Sequence, residues 1–254
     1  MKKRVLLSLL EENESLARQL GQELAKAGLE VQAHFWNADL DRMAWGQAAK
    51  ELGSASAWVI AGQDFSGKDL RVGLALTALA AQAEHGNGFP VLISPGCALE
   101  AADLPDPLKG ADIVKAGLGV KTAVQANTMK PLAPDYRLKP LPLNELGLWF
   151  EISPARDPWA GGFFACGSAT RDKALPNAHG VGRAGAIPER CTLRYPVEGM
   201  KLELRGLTCE GWGVKNELTP ADAYYVRVGA CPEILAFGAF PDTDEAEVYT
   251  VSLV

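Results

Sequence analysis

A chain of 254 residues, 48% hydrophobic and 22% charged, is an ordinary globular composition, long enough to bury one large core or two modest ones. Its 25 basic and 31 acidic side chains leave a formal charge of -6, which argues against nucleic acid or an anionic membrane as partner, since both select a basic face. No apolar run nears the roughly 20 residues of a membrane span.

The first run, Val5–Leu10, follows Met1-Lys2-Lys3-Arg4 and is too short for a secretion signal before Glu11 and Glu12 intervene, so a cytoplasmic protein is expected. Read instead as structure, Arg4–Leu9 is a buried parallel strand. Leu16, Leu20 and Leu24 then fall on one helical face, with Gly28 where a C-terminal cap belongs. Glu30–Trp36 is a second strand, and Asp39 is placed to cap a helix with Leu40, Met43, Ala44, Ala48 and Leu52 on its inner face. Ala57–Ala61 is a third strand, Leu70–Ala83 a helix, Pro90–Ser94 a fourth strand, Asp112–Val114 a fifth, and Thr122–Thr128 a last short helix. This alternation predicts a flavodoxin-like five-stranded parallel sheet in the order 2-1-3-4-5 over residues 1–129. Ligands of such sheets bind beyond the carboxyl ends of the strands, so the loops after Leu9, Trp36, Ala61, Ser94 and Val114 are the ones to watch.

Residues 130–146 hold Pro131, Pro134, Pro140 and Pro142 and are expected to form a semi-rigid linker. Over 147–254 the helical pattern gives way to short aromatic and β-branched runs: Leu148–Ile152, Gly162–Cys166, Cys191–Tyr195, Lys201–Leu204, Tyr224–Val228, Ile234–Phe240 and Glu247–Leu253. With glycine and proline between them, these predict a β-sandwich or barrel. Gly167–Arg190 is a long glycine-rich stretch carrying Arg171, Lys173, His179, Arg183 and Arg190. It reads either as a disordered loop or as an anion clamp with His179 as acid or base. Trp149, Phe150, Trp159, Phe163 and Phe164 read most simply as β-domain core, with a ligand platform as the alternative. The five cysteines (Cys97, Cys166, Cys191, Cys209, Cys231) lack the spacing of a zinc knuckle or redox pair, so reduced thiols and no metal are expected.

The loop Leu10-Glu11-Glu12-Asn13-Glu14-Ser15 excludes a flavin phosphate cradle, because its carboxylates repel phosphate, and it lacks the G-x-G-x-x-G turn of a dinucleotide site. A phosphoacceptor receiver needs an aspartate ending the third strand, where Ala61-Gly62 stands. Over its first half the chain resembles TIR domains. Val5-Leu6-Leu7-Ser8 precedes an acidic loop, and LGQELAKAGLEVQ over Leu20–Gln32 runs from a helix through glycine into the second strand. Ala55–Ile60, Phe89–Ile93 and Asp103-Leu104-Pro105-Asp106-Pro107-Leu108 follow in the family's order. The resemblance implies a glutamate in the helix after the third strand if the domain cleaves NAD. Arg71 occupies that position, and a guanidinium opposes the positive charge that develops on the sugar.

Two readings follow. One is a non-catalytic TIR-like interaction or nucleotide-sensing protein with an accessory β domain, needing no cofactor, associating with a protein partner or itself, with Ser66, Lys68 and Arg71 contacting a possible nucleotide ligand. The other is a glycosidic-bond hydrolase acting on NAD or a nucleoside, with Asp69 or Asp64 as the carboxylate. If neither holds, residues 62–71 are a solvated loop in which Asp69 or Ser66 caps the helix.

Overall fold

The computed structural model describes residues 2–130, 132, 134–143, 147–242 and 248–254. The chain divides into two compact units: residues 1–39 with 44–132, and residues 133–254 with the short segment 40–43.

The first unit contains strands β1 (Arg4–Leu9), β2 (Glu30–Phe35), β3 (Ala57–Gly62), β4 (Val91–Pro95) and β5 (Asp112–Ile113), and helices α1 (Glu14–Lys26), α2 (Trp45–Leu52), α3 (Lys68–His85) and α4 (Leu118–Thr128). All strand pairs are parallel, and the order is β2-β1-β3-β4-β5, as the sequence predicts. The uninterrupted apolar runs exist because both sheet faces are covered. Leu6, Trp58, Ile60 and Ile93 pack against Ala48 and Leu52 of α2 and Leu74 and Ala78 of α3. Val5, Leu7, Leu9 and Val59 pack against Leu20 and Leu24 of α1 and Leu118 and Ala126 of α4 on the other face.

Local signals set most boundaries. The Leu16 N–H donates to Asn13 Oδ1 (3.0 Å), which caps α1, and Gly28 at φ +86° ends it. The helix expected from Asp39 instead begins at Trp45, because Met43 adopts a left-handed φ of +49° that an α-helix cannot contain.

The second unit is a β-sandwich. Strands β6 (Tyr136–Pro142), β7 (Leu148–Pro154), β9 (Pro176–Arg183) and β12 (Asp222–Val228) form a sheet in the order β6-β7-β12-β9. Strands β8 (Gly162–Gly167), β10 (Val197–Leu204), β11 (Leu207–Val214), β13 (Ile234–Ala239) and β14 (Val248–Ser252) form the other, ordered β10-β11-β8-β13-β14. Phe150 on β7 meets Phe164 on β8 with ring centroids 5.1 Å apart, and Tyr136 on β6 lies edge-on to Phe237 on β13 at 4.8 Å, so the core forms between the inner faces. With the β10–β11 hairpin set aside, this is the A-B-E-D and C-F-G strand order of an immunoglobulin-type sandwich, built without its cross-sheet disulfide. Arg205 and Gly206, both at positive φ, make the two-residue turn of that extra hairpin.

Three expectations change in the second half. The proline-rich stretch carries β6, an edge strand, where missing N–H donors do no harm; its Pro131, Ala133 and Asn144–Leu146 lie outside the described residues. The glycine-rich stretch carries β9, whose Gly180 and Gly182 lie close under Pro188 of the following loop. Cys191–Tyr195 is not a strand; that role falls to Leu207–Val214, where Gly211 and Gly213 leave room for Phe163 and Phe240. Glu247, at the start of the last expected run, lies outside the described residues.

Candidate functional site

At the carboxyl edge of the parallel sheet lies a cleft of about 260 Å³. Its walls come from the ends of β3 (Gly62, Gln63), β4 (Ser94, Gly96) and β5 (Lys115, Gly117), and from Gln19 and Glu23 of α1. Three of the five loops singled out from the sequence therefore line it, and the loops after Leu9 and Trp36 do not. Gly117 turns the chain at φ +70° into α4, a left-handed position that glycine takes without strain. A β-carbon on Gly62 would fall 2.6 Å from Leu10 Cβ, so the loops after β1 and β3 meet closely.

The acidic groups here are already bonded. Glu11 Oε1 accepts from the N–H of Gln63 (2.6 Å) and of Asp64 (3.3 Å), so this carboxylate occupies amides that an anionic ligand would otherwise seek. Glu23 Oε1 accepts from the Gly119 N–H (3.0 Å) at the start of α4. Asp64 Oδ1 accepts from the N–H (2.8 Å) and hydroxyl (2.6 Å) of Ser66, and those bonds hold its carboxyl below the usual range. Lys115 is the cation of the cleft wall.

The residues favoured from sequence sit beside this cleft rather than in its wall. Asp64 and Ser66 form their own turn after β3, and Lys68, Asp69 and Arg71 occupy the first turn of α3. Neither Asp69 nor Ser66 caps that helix: Gly67 holds the cap position without a side-chain bond, and Asp69 complements the helix dipole. Arg71 Nε is buried, with no hydrogen-bond partner among the described residues. Glu23 was not among the sequence candidates as a ligand-facing group. Glu23 reaches its partner across 96 positions, and no local pattern encodes that. Among the described residues no group of histidine, cysteine or carboxylate side chains has metal-site geometry, and no helix is long and apolar enough to cross a membrane.

The histidines are structural in their contacts. His34 Nε2 lies 2.7 Å from the Ser8 hydroxyl, which also accepts from Trp58 Nε1 (2.8 Å). His85 Nε2 meets Leu52 O at 2.8 Å. His179 stands on β9, its Nδ1 2.7 Å from the Tyr224 hydroxyl and its Nε2 3.3 Å from Glu198. Burial pushes His34 below its ordinary 6.5 against the pull of Glu51, and burial does the same to His179 against Glu198. Protonation of both rings is harder in the fold than in the unfolded chain, which binds more protons between the depressed native values and 6.5. The stability they contribute is complete above pH 6.5 and is lost as pH falls through the depressed native values. The urea midpoint is expected to drop between about pH 7.5 and about pH 5, with a shallower drop in His34→Gln; parallel profiles would refute the assignment.

No protein-family model matches this chain, and no curated protein matches it. One solved structure found similar is described as a 3-dehydroquinate dehydratase-like protein from Bifidobacterium longum. It is 18% identical with a TM-score of 0.35, the match covering 50% of this chain and 97% of that one. A likeness of that strength carries no argument about activity.

Proposed function

We propose that this chain is a non-catalytic sensing protein whose TIR-like α/β unit takes a small nucleotide, of nucleoside monophosphate size, in the cleft at the carboxyl edge of its sheet. The β-sandwich serves as an accessory module, and the protein acts by associating with a partner or with itself. The observation that carries this reading is the chemistry of the cleft wall. It offers one ammonium (Lys115), amide and hydroxyl side chains (Gln19, Gln63, Ser94) and one carboxylate (Glu23), the last tied to the Gly119 amide. Such a wall suits a phosphate and a sugar better than it suits glycosidic cleavage, which needs a carboxylate poised at the anomeric carbon.

Two further points weigh against hydrolysis of NAD. A cleft of about 260 Å³ lies below the ~300–1,000 Å³ that encloses larger ligands, so a dinucleotide would overflow it. On the TIR-like reading of the sequence, Arg71 takes the position of the catalytic glutamate.

The test is a pair of measurements on the full chain. Incubation with NAD and with nucleosides is expected to release neither nicotinamide nor free base. Calorimetric titration with AMP is expected to give saturable binding, weakened roughly tenfold or more by Lys115→Glu. Base release abolished by Glu23→Gln, Asp64→Asn or Asp69→Asn would overturn the proposal in favour of the hydrolase. Absence of AMP binding would overturn the nucleotide assignment.

A further inference from the structure

A second depression, of about 390 Å³, opens on the β-sandwich and is lined by Pro158, Trp159, Ala160, Arg194, Lys215 and Glu217. These residues come from three connections, β7–β8, β9–β10 and β11–β12, and Asp242 of the β13–β14 connection reaches Lys215. The β7–β8 and β13–β14 connections correspond to the B–C and F–G loops, which carry ligand contacts in immunoglobulin variable domains.

Backbone groups, the Asn216 side chain and the Lys215–Asp242 pair fasten the loops to one another. Trp159 and Leu218 exchange both backbone hydrogen bonds, each at 2.9 Å. The Lys215 N–H donates to Arg194 O (2.8 Å), the Arg194 N–H donates to Asn216 Oδ1 (2.8 Å), and Asn216 Nδ2 donates to Thr192 O (3.0 Å). Beneath them, Phe240 rests on Gly161 and Gly213, where a β-carbon would approach within 2.7 Å of its atoms. Lys215 Nζ lies 5.3 Å above that ring and 2.8 Å from Asp242 Oδ1. The outcome is a preorganised rim.

The side chains on this rim are unlike those of the core. Trp159 is only partly buried, whereas Phe150, Phe163 and Phe164 are sealed inside. Arg194 is exposed, and among the described residues its guanidinium meets no carboxylate. Lys215 is balanced by Asp242, which leaves Arg194 as the uncompensated cation and Glu217 as a hydrogen-bond acceptor.

We propose that this depression binds an acidic saccharide. The indole of Trp159 offers an apolar plane for the C–H face of a pyranose. The Arg194 fork takes the sugar carboxylate in two parallel hydrogen bonds. Glu217 and Lys215 bond ring hydroxyls, which act as both donors and acceptors. A polyanion such as nucleic acid is opposed by Glu217, Asp242 and the overall charge of -6.

The experiment is calorimetric titration of the full chain with a tetrasaccharide of alternating glucuronate and N-acetylglucosamine, beside a neutral tetraglucose and a peptide with a free C-terminal carboxylate. Saturable binding of the acidic saccharide alone is expected. Arg194→Ala is expected to weaken it roughly tenfold or more, and Trp159→Ala by a similar factor. Arg194→Lys should retain part of the affinity, because it keeps the charge and loses the fork. Arg194 is solvent-exposed, so its variants report on binding even if Trp159→Ala perturbs the loop. No heat with the acidic saccharide, equal binding of the neutral sugar or the peptide, or unchanged affinity in Arg194→Ala would each overturn the proposal.

Discussion

Trp58→Ala is expected to destabilise the α/β unit by about 3–5 kcal/mol. Trp58 is fully buried on β3, within the cluster that joins the sheet to α2 and α3. Removing the indole deletes one of the largest buried surfaces of the unit and opens a cavity that the flanking Leu6, Ile60 and Leu52 cannot fill by rotation. It also removes the Trp58 Nε1 donor to Ser8 Oγ, in a buried polar chain that continues to His34. Trp58→Phe separates the two effects: most of the apolar volume stays, the donor is lost, and a cost nearer ~1 kcal/mol is expected. Urea unfolding followed by circular dichroism checks both variants. A Trp58→Ala cost no larger than that of Trp58→Phe would show that packing is not the dominant contribution.

Glu151→Ala is expected to cost the sandwich about 2–4 kcal/mol. Glu151 is 1% exposed, on the face of β7 opposite Phe150 and Ile152. Its Oε2 accepts from the Gly185 N–H (3.0 Å) and lies 3.1 Å from the Tyr225 hydroxyl; its Oε1 is 3.7 Å from Arg137. The Tyr225 hydroxyl in turn lies 2.7 Å from Arg183 O and accepts from the Ala186 N–H (3.0 Å). Burial and the neighbouring carboxylate push its pKa up to about 12. Together these bonds hold the loop after β9 over the outer face of the four-stranded sheet. Without the carboxylate the Gly185 amide has lost its acceptor, so hydrogen exchange at Gly185 and Ala186 should accelerate along with the fall in stability. Glu151→Gln keeps an acceptor and should cost less. If Glu151→Ala left both exchange and stability unchanged, the loop would be held by something other than this network.

The elements legible in the sequence were those whose signals are local. The runs at Val5, Ala57 and Val91 could only be central strands, and the Leu16, Leu20, Leu24 spacing with Gly28 bounded α1 closely. Misread segments carry contradictory local signals. Prolines at 140 and 142 spoke for a linker, but an edge strand tolerates them because its outer amides need no partner. Glycines at 180, 182, 211 and 213 spoke for loops, yet they admit Pro188, Cys191, Phe163 and Phe240 against strand backbone. The site was legible only as a set of loops. Candidates chosen by residue type near Arg71 fell outside the cleft wall, whereas Glu23 and Lys115, distant in sequence, came together in it.

From the amino-acid order alone came the parallel sheet, its strand order, the change to β structure near the middle of the chain, and the arginine at position 71. Each follows from periodicity, chain connectivity or residue identity, and none needs a distant neighbour. Tertiary structure decided which carboxylates are tied to amides, which loops share a cleft, and that Trp149 and Trp159 are only partly buried while Phe150, Phe163 and Phe164 are sealed. Those outcomes depend on contacts between residues tens of positions apart, and contacts of that kind leave no pattern in a short window of sequence.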